Sequence, residues 1–105
     1  MLLRWAGILV GEISDPFEHQ GTWFGIFRAD GQIDAHPEVS SFLLFCQDWL
    51  KRCRSNQADA EEFQRYPAFL APGTWSLEDN TGRVIQIETP MFAAGLSGEI
   101  SWKSE

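Results

Sequence analysis

Histidine, cysteine and basic side chains are scarce in this chain of 105 residues, and each scarcity closes off a class of function. Two cysteines, Cys46 and Cys53, are too few to staple a secreted scaffold of this size. Both fall in one expected helix, where their spacing sets the Cα atoms about 10 Å apart, beyond the roughly 7 Å that a disulfide spans. Two free thiols point to a reducing compartment, and a cytoplasmic location is expected. Neither thiol is placed to be a nucleophile: Cys46 lies in the middle of an apolar stripe, and Cys53 lies near a helix C-terminus, where the dipole disfavours a thiolate.

His19 and His36 are the only histidines. No combination of them with cysteines or carboxylates has the ligand number and spacing of a zinc site, so neither metal nor cofactor is expected. Glycine-rich phosphate loops are absent, and Gly95-Leu96-Ser97-Gly98 lacks the Gly-x-Ser-x-Gly of a nucleophile elbow. Lys and Arg number 8 against 15 Asp and Glu, a formal net charge of −7 that disfavours nucleic acid and anionic membranes as partners. Long apolar runs are missing too, since nothing approaches the ~20 residues of a membrane span. The apolar stretch from Trp5 to Gly11 is short, is closed by Glu12 and has no small-residue cleavage site after it. It reads as a starting strand rather than a signal peptide.

Aromatics are abundant: 5 Trp, 8 Phe and 1 Tyr, or 13% of the chain. With 44% hydrophobic residues they supply enough apolar mass for one core, and a single domain over residues 1–105 is expected. Leu3–Ile13 has the alternation of a strand, with Gly7 and Gly11 marking bulges or close backbone approach. Asp15-Pro16 and Gly21 bracket a turn-rich loop, and Thr22–Ala29 forms a second strand with aromatics on both faces. Across Pro37–Arg54, Val39, Phe42, Leu43, Cys46, Trp49, Leu50 and Cys53 recur at helical spacing and form one broad apolar stripe. Pro37 suits the first helical position, and Glu38 and the run Lys51-Arg52-Cys53-Arg54 match the helix dipole at its two ends.

Asp59-Ala60-Glu61-Glu62 has capping-box spacing and opens a short helix that Pro67 ends. Three strands follow, around Trp75 and Leu77, over Arg83–Thr89 with Asp79–Gly82 as the hairpin turn, and over Glu99–Lys103. The expected fold is therefore α+β: an antiparallel sheet of about five strands in the order β-β-α-(short α)-β-β-β, with one long amphipathic helix packed on one face. A half-open barrel closed by that helix is the alternative.

Asp30, Asp34 and Glu38 cluster before the long helix, but Asp30–Asp34 lacks the third-position ligand and later glycine of a calcium loop. A solvated turn and a dipole-matched helix start account for them. The aromatics carry the functional expectation. Trp23 or Phe24 must lie on a strand face away from the helix, and Trp5 and Trp102 belong to possible edge strands. Trp5, Trp23, Phe24 and Trp102 thus form the candidate interaction face of a non-enzymatic interaction or accessory module, whose partner is a second copy or a basic protein. The alternative is a ligand-binding or enzymatic domain with an aromatic-walled pocket between sheet and helix, primed by His19, His36 or a carboxylate. A purely structural accessory domain is the third reading.

Overall fold

Alternating burial along the strands builds one curled antiparallel sheet, described over Met1–Glu105 in a computed structural model. Its strands are β1 (Leu2–Trp5), β2 (Ile8–His19), β3 (Thr22–Ala29), β4 (Trp75–Glu78), β5 (Val84–Ile87), β6 (Met91–Phe92) and β7 (Ser97–Trp102). They lie in the order β5-β4-β1-β2-β3-β7-β6. Between β3 and β4 the chain forms a 3-10 turn at Ile33–Ala35, the long helix α1 (Pro37–Cys53), a 3-10 helix at Ala60–Arg65 and the single turn α2 (Pro67–Leu70). The sheet curls far enough for residues after β7 to meet β5: Ile87 bridges to Ser104, and the Glu88 N–H donates to the Lys103 carbonyl at 2.9 Å.

The fold is α+β, as the element order implies, but the sheet has seven strands where about five are expected. Two features account for the difference. Leu3–Ile13 is not one strand: the chain reverses at Ala6-Gly7, both with positive φ (49° and 82°), so β1 and β2 form a tight hairpin. The pair Met91–Phe92 then adds a strand too short to show any alternation. Asp15-Pro16 is also not a loop. The two residues sit in an irregularity inside β2, where the register steps between Ser14 and Phe17 and Asp15 takes a φ of 53°.

One face of the curl and the stripe of α1 enclose a core of 16 buried residues. Leu3, Ile13, Phe27, Trp75, Leu77, Ile87, Ile100 and Trp102 reach it from the strands, and Val39, Phe42, Leu43 and Cys46 reach it from α1. Phe42 is its hub, stacked on Phe69 at 4.6 Å and set against Trp75 and Phe92. Two strand glycines make room for core side chains. A Cβ on Gly11 would stand 2.6 Å from the Phe27 ring, and one on Gly25 would stand 2.7 Å from the Ile13 side chain, beneath Trp102. No buried side-chain N or O lacks a hydrogen-bond partner; the Trp75 indole, for example, donates to the Phe69 carbonyl at 2.8 Å.

Helix α1 begins at Pro37 as expected and closes at Cys53, one residue short of Arg54. Ala60–Arg65 carries the capping box that Asp59 and Glu62 imply. Arg52 ties the two segments together through Glu62 at 2.7 Å and also pairs with Asp48 of α1 at 2.8 Å, so this cation of the basic run is satisfied within the chain.

Candidate interaction surface on the second hairpin

β2 has 12 residues and β1 only 4, and this mismatch creates the most exposed part of the sheet. β1 covers β2 as far as Glu12, and Met1 extends the cover by one residue through two 2.8 Å backbone bonds to Ile13. Beyond that point β2 pairs with β3 alone. The two strands form an arm, free along the β2 edge and bordered by β7 along β3 as far as Trp23, whose tip is a two-residue turn at Gln20-Gly21, with φ of 52° and 83°. Every residue from Ser14 to Gly21 is exposed.

The register sorts the arm's side chains into two faces. Trp23 stands opposite Trp102 and shares the inner face with Gly25 and Phe27. The two indoles stack at 6.2 Å with an interplanar angle of 11°, Trp23 half-buried and Trp102 buried. Phe24 lies on the outer face, where Phe17 pairs with it across the strands and stacks at 5.4 Å. Ile26 continues that face, between Ser14 and Glu99. Phe17 is 58% exposed and Ile26 51%, and no helix covers them.

The 14 aromatics divide cleanly. Ten of them, Trp5 included, form one network of ring contacts around Phe42; the other four are two pairs, Phe17–Phe24 across β2 and β3, and Trp23–Trp102 across β3 and β7. Of the expected site residues, the structure brings Trp23 and Trp102 together and sets Phe24 on the opposite face of the same strand. Trp5 is elsewhere, stacked on Phe69 at 4.4 Å with its indole donating to the Ala68 carbonyl. Phe17 is the residue missed by the sequence reading. Phe17 and Phe24 are equidistant from Gln20-Gly21, so a hairpin reading of that dipeptide pairs them; a loop reading of Asp15–Gly21 hides Phe17.

The groups considered for catalysis are dispersed. His19 is exposed near the arm tip, while His36 lies before α1 with Nδ1 3.9 Å from Glu38 Oε1. The Asp30 carboxylate accepts from the Gln32 N–H at 3.1 Å, closing a local turn. No three His, Cys, Asp or Glu side chains converge on one point. Burial pushes the Cys46 thiol up to about 12, which keeps it protonated. Rings fill the space between α1 and the sheet, and the surface depressions at Met1, Leu77, Asp79, Arg83, Ile85 and Ser104, at Glu12, Ser14, Ile26 and Arg28, and at the end of α1 beside Ala93 and Glu99 (Gln47, Leu50, Lys51, Cys53 and Arg54) have no aromatic lining. No helix is long and apolar enough to cross a membrane. Compared with known proteins, the chain matches no family model, no curated protein and no solved structure.

Proposed function

We propose that the chain is a non-enzymatic interaction module that engages its partner through the outer face of the β2–β3 arm. The observation that carries this reading is the aromatic partition. Ten rings join the network around Phe42 and the Trp23–Trp102 pair packs with the core, whereas Phe17 and Phe24 stack on an uncovered sheet face beside Ile26. Exposed aromatic side chains are rigid anchors at low conformational cost, and they are enriched where proteins meet.

The free edge of β2 supports contact through the face rather than through strand addition. Pro16 has no N–H to offer, the irregularity between Ser14 and Phe17 breaks the ladder, and Asp15 and Glu18 add charge. These are the devices by which exposed edges avoid pairing with other strands.

Sedimentation of the purified chain, together with affinity capture from its native cells, tests the reading on wild type and on the double variant Phe17→Ser, Phe24→Ser. The wild type is expected to self-associate or retain a discrete partner, and the double variant to lose that association while keeping its circular dichroism. A wild-type monomer at all concentrations with no retained partner, or an association that the double variant keeps, overturns the proposal.

A further inference from the structure

We infer that the partner of this face is a basic, arginine-bearing segment of another protein rather than a second copy of the chain, an inference that rests on the arm being an interaction surface. The charges of the strands that carry the stacked phenylalanines are mainly acidic, with Lys103 just past β7 as a second cation beside Arg28. β2, β3 and β7 contain four carboxylates, Glu12, Asp15, Glu18 and Glu99, and one cation, Arg28. None of the four carboxylates is ion-paired; the ion pairs of the chain use Glu38, Asp48, Glu62 and Glu78. Glu99 flanks Ile26 across the β3–β7 register, and Glu12 sits opposite Arg28 on the same outer face. Asp15 lies in the irregularity of the free edge next to Phe17, whereas Glu18, opposite Trp23, belongs to the other face.

Two copies joined through this face would bring both sets of carboxylates together in a chain already at −7. Like charges placed opposite one another suppress such pairing. A guanidinium is complementary on both counts: it stacks on an aromatic face and donates in a fork that matches a carboxylate. The Phe17–Phe24 stack, with Glu99 unpaired beyond Ile26 on the same face, offers both at once. Lysine, a compact and strongly hydrated charge, meets only the electrostatic part.

The test titrates the chain with a synthetic peptide of four Arg-Gly repeats and with its Lys-Gly counterpart, followed by NMR and calorimetry. The salt is about 0.15 M, at which charges farther apart than about 8 Å are screened. The arginine peptide is expected to shift the Phe17 and Phe24 ring signals and to bind more tightly than the lysine peptide. Phe17→Ala and Glu99→Gln are each expected to weaken binding about fivefold or more. Neutralising two distant carboxylates, Asp34→Asn with Glu61→Gln, is expected to leave it unchanged. Equal binding of both peptides, an equal loss in the distant variant, or no ring shift overturns the inference. If the free chain instead dimerises and Phe17→Ser with Phe24→Ser abolishes the dimer, the basic-partner inference fails while the interaction surface stands. If neither peptide nor second copy nor captured partner depends on the two rings, both fail.

Discussion

Phe42 and Phe17 are the same side chain in opposite settings. Phe42 is fully buried and stacks face to face on Phe69 with an interplanar angle of 2°. Removing its ring leaves a cavity at the hub of the aromatic network, so Phe42→Ala is expected to cost about 3–5 kcal/mol in denaturant unfolding. Phe17 is 58% exposed and touches Phe24 on a solvated face. Phe17→Ala is expected to cost at most about 1.5 kcal/mol, the upper worth of an aromatic pair. The contrast matters for function, because a large exposed ring that stability hardly needs is available for a partner. Equal losses in the two variants would show that the arm is part of the core.

At the scale of elements, α1 and the 3-10 helix Ala60–Arg65 are joined by a charged clip whose titration can be followed. The Arg52 side chain, helped by the Asp59 backbone N–H, holds the Glu62 carboxyl down at about 2 against an ordinary 4.5. The folded value lies below the unfolded one. The stabilisation is therefore complete above the ordinary carboxylate range and is lost as the pH falls from about 4.5 to about 2. Glu62→Gln is expected to destabilise the chain at neutral pH and to flatten the loss of stability across that acidic window, as read by urea midpoints at a series of pH values. An unchanged pH dependence would mean that the clip does not couple to folding.

Elements with local signals were legible in the sequence. The apolar stripe and Pro37 mark α1, Asp59 and Glu62 mark the 3-10 helix, and Asp79–Gly82 marks the β4–β5 turn. In that turn the Asp79 carboxylate accepts from Thr81 and Arg83 N–H groups. The features that escaped have weak or non-local signals. Tight hairpins favour Asn-Gly or Asp-Gly, and the turns here use Ala6-Gly7 and Gln20-Gly21, with non-glycine residues held at positive φ. Left-handed geometry costs an ordinary residue about 1–2 kcal/mol, so nothing in Ala6 or Gln20 announces it. Pro16 reads as a strand breaker, yet it is tolerated because β1 ends before reaching that stretch of β2. Whether Trp23 or Phe24 faces the helix depends on register and sheet order, which periodicity does not contain. Of the candidate face, the Trp23–Phe24 strand was legible; Phe17 was hidden by the loop reading, and the core role of Trp5 by its long-range stack on Phe69.

For the whole molecule, curl and charge act together. The sheet wraps its inner face around the aromatic core and α1, and this wrapping leaves the outer face of the arm bare. The proposed contact role rests on the stacked aromatic pair that this bare face carries. Val84 offers an internal control, being 58% exposed like Phe17 but placed on β5 rather than on the arm. The most direct measurement installs a photo-crosslinking phenylalanine analogue at position 17 in one protein and at position 84 in another, and irradiates both in the cells that make the chain. A discrete adduct from position 17 that position 84 does not give is the expected result; no adduct from position 17, or the same adducts from both positions, would contradict the account.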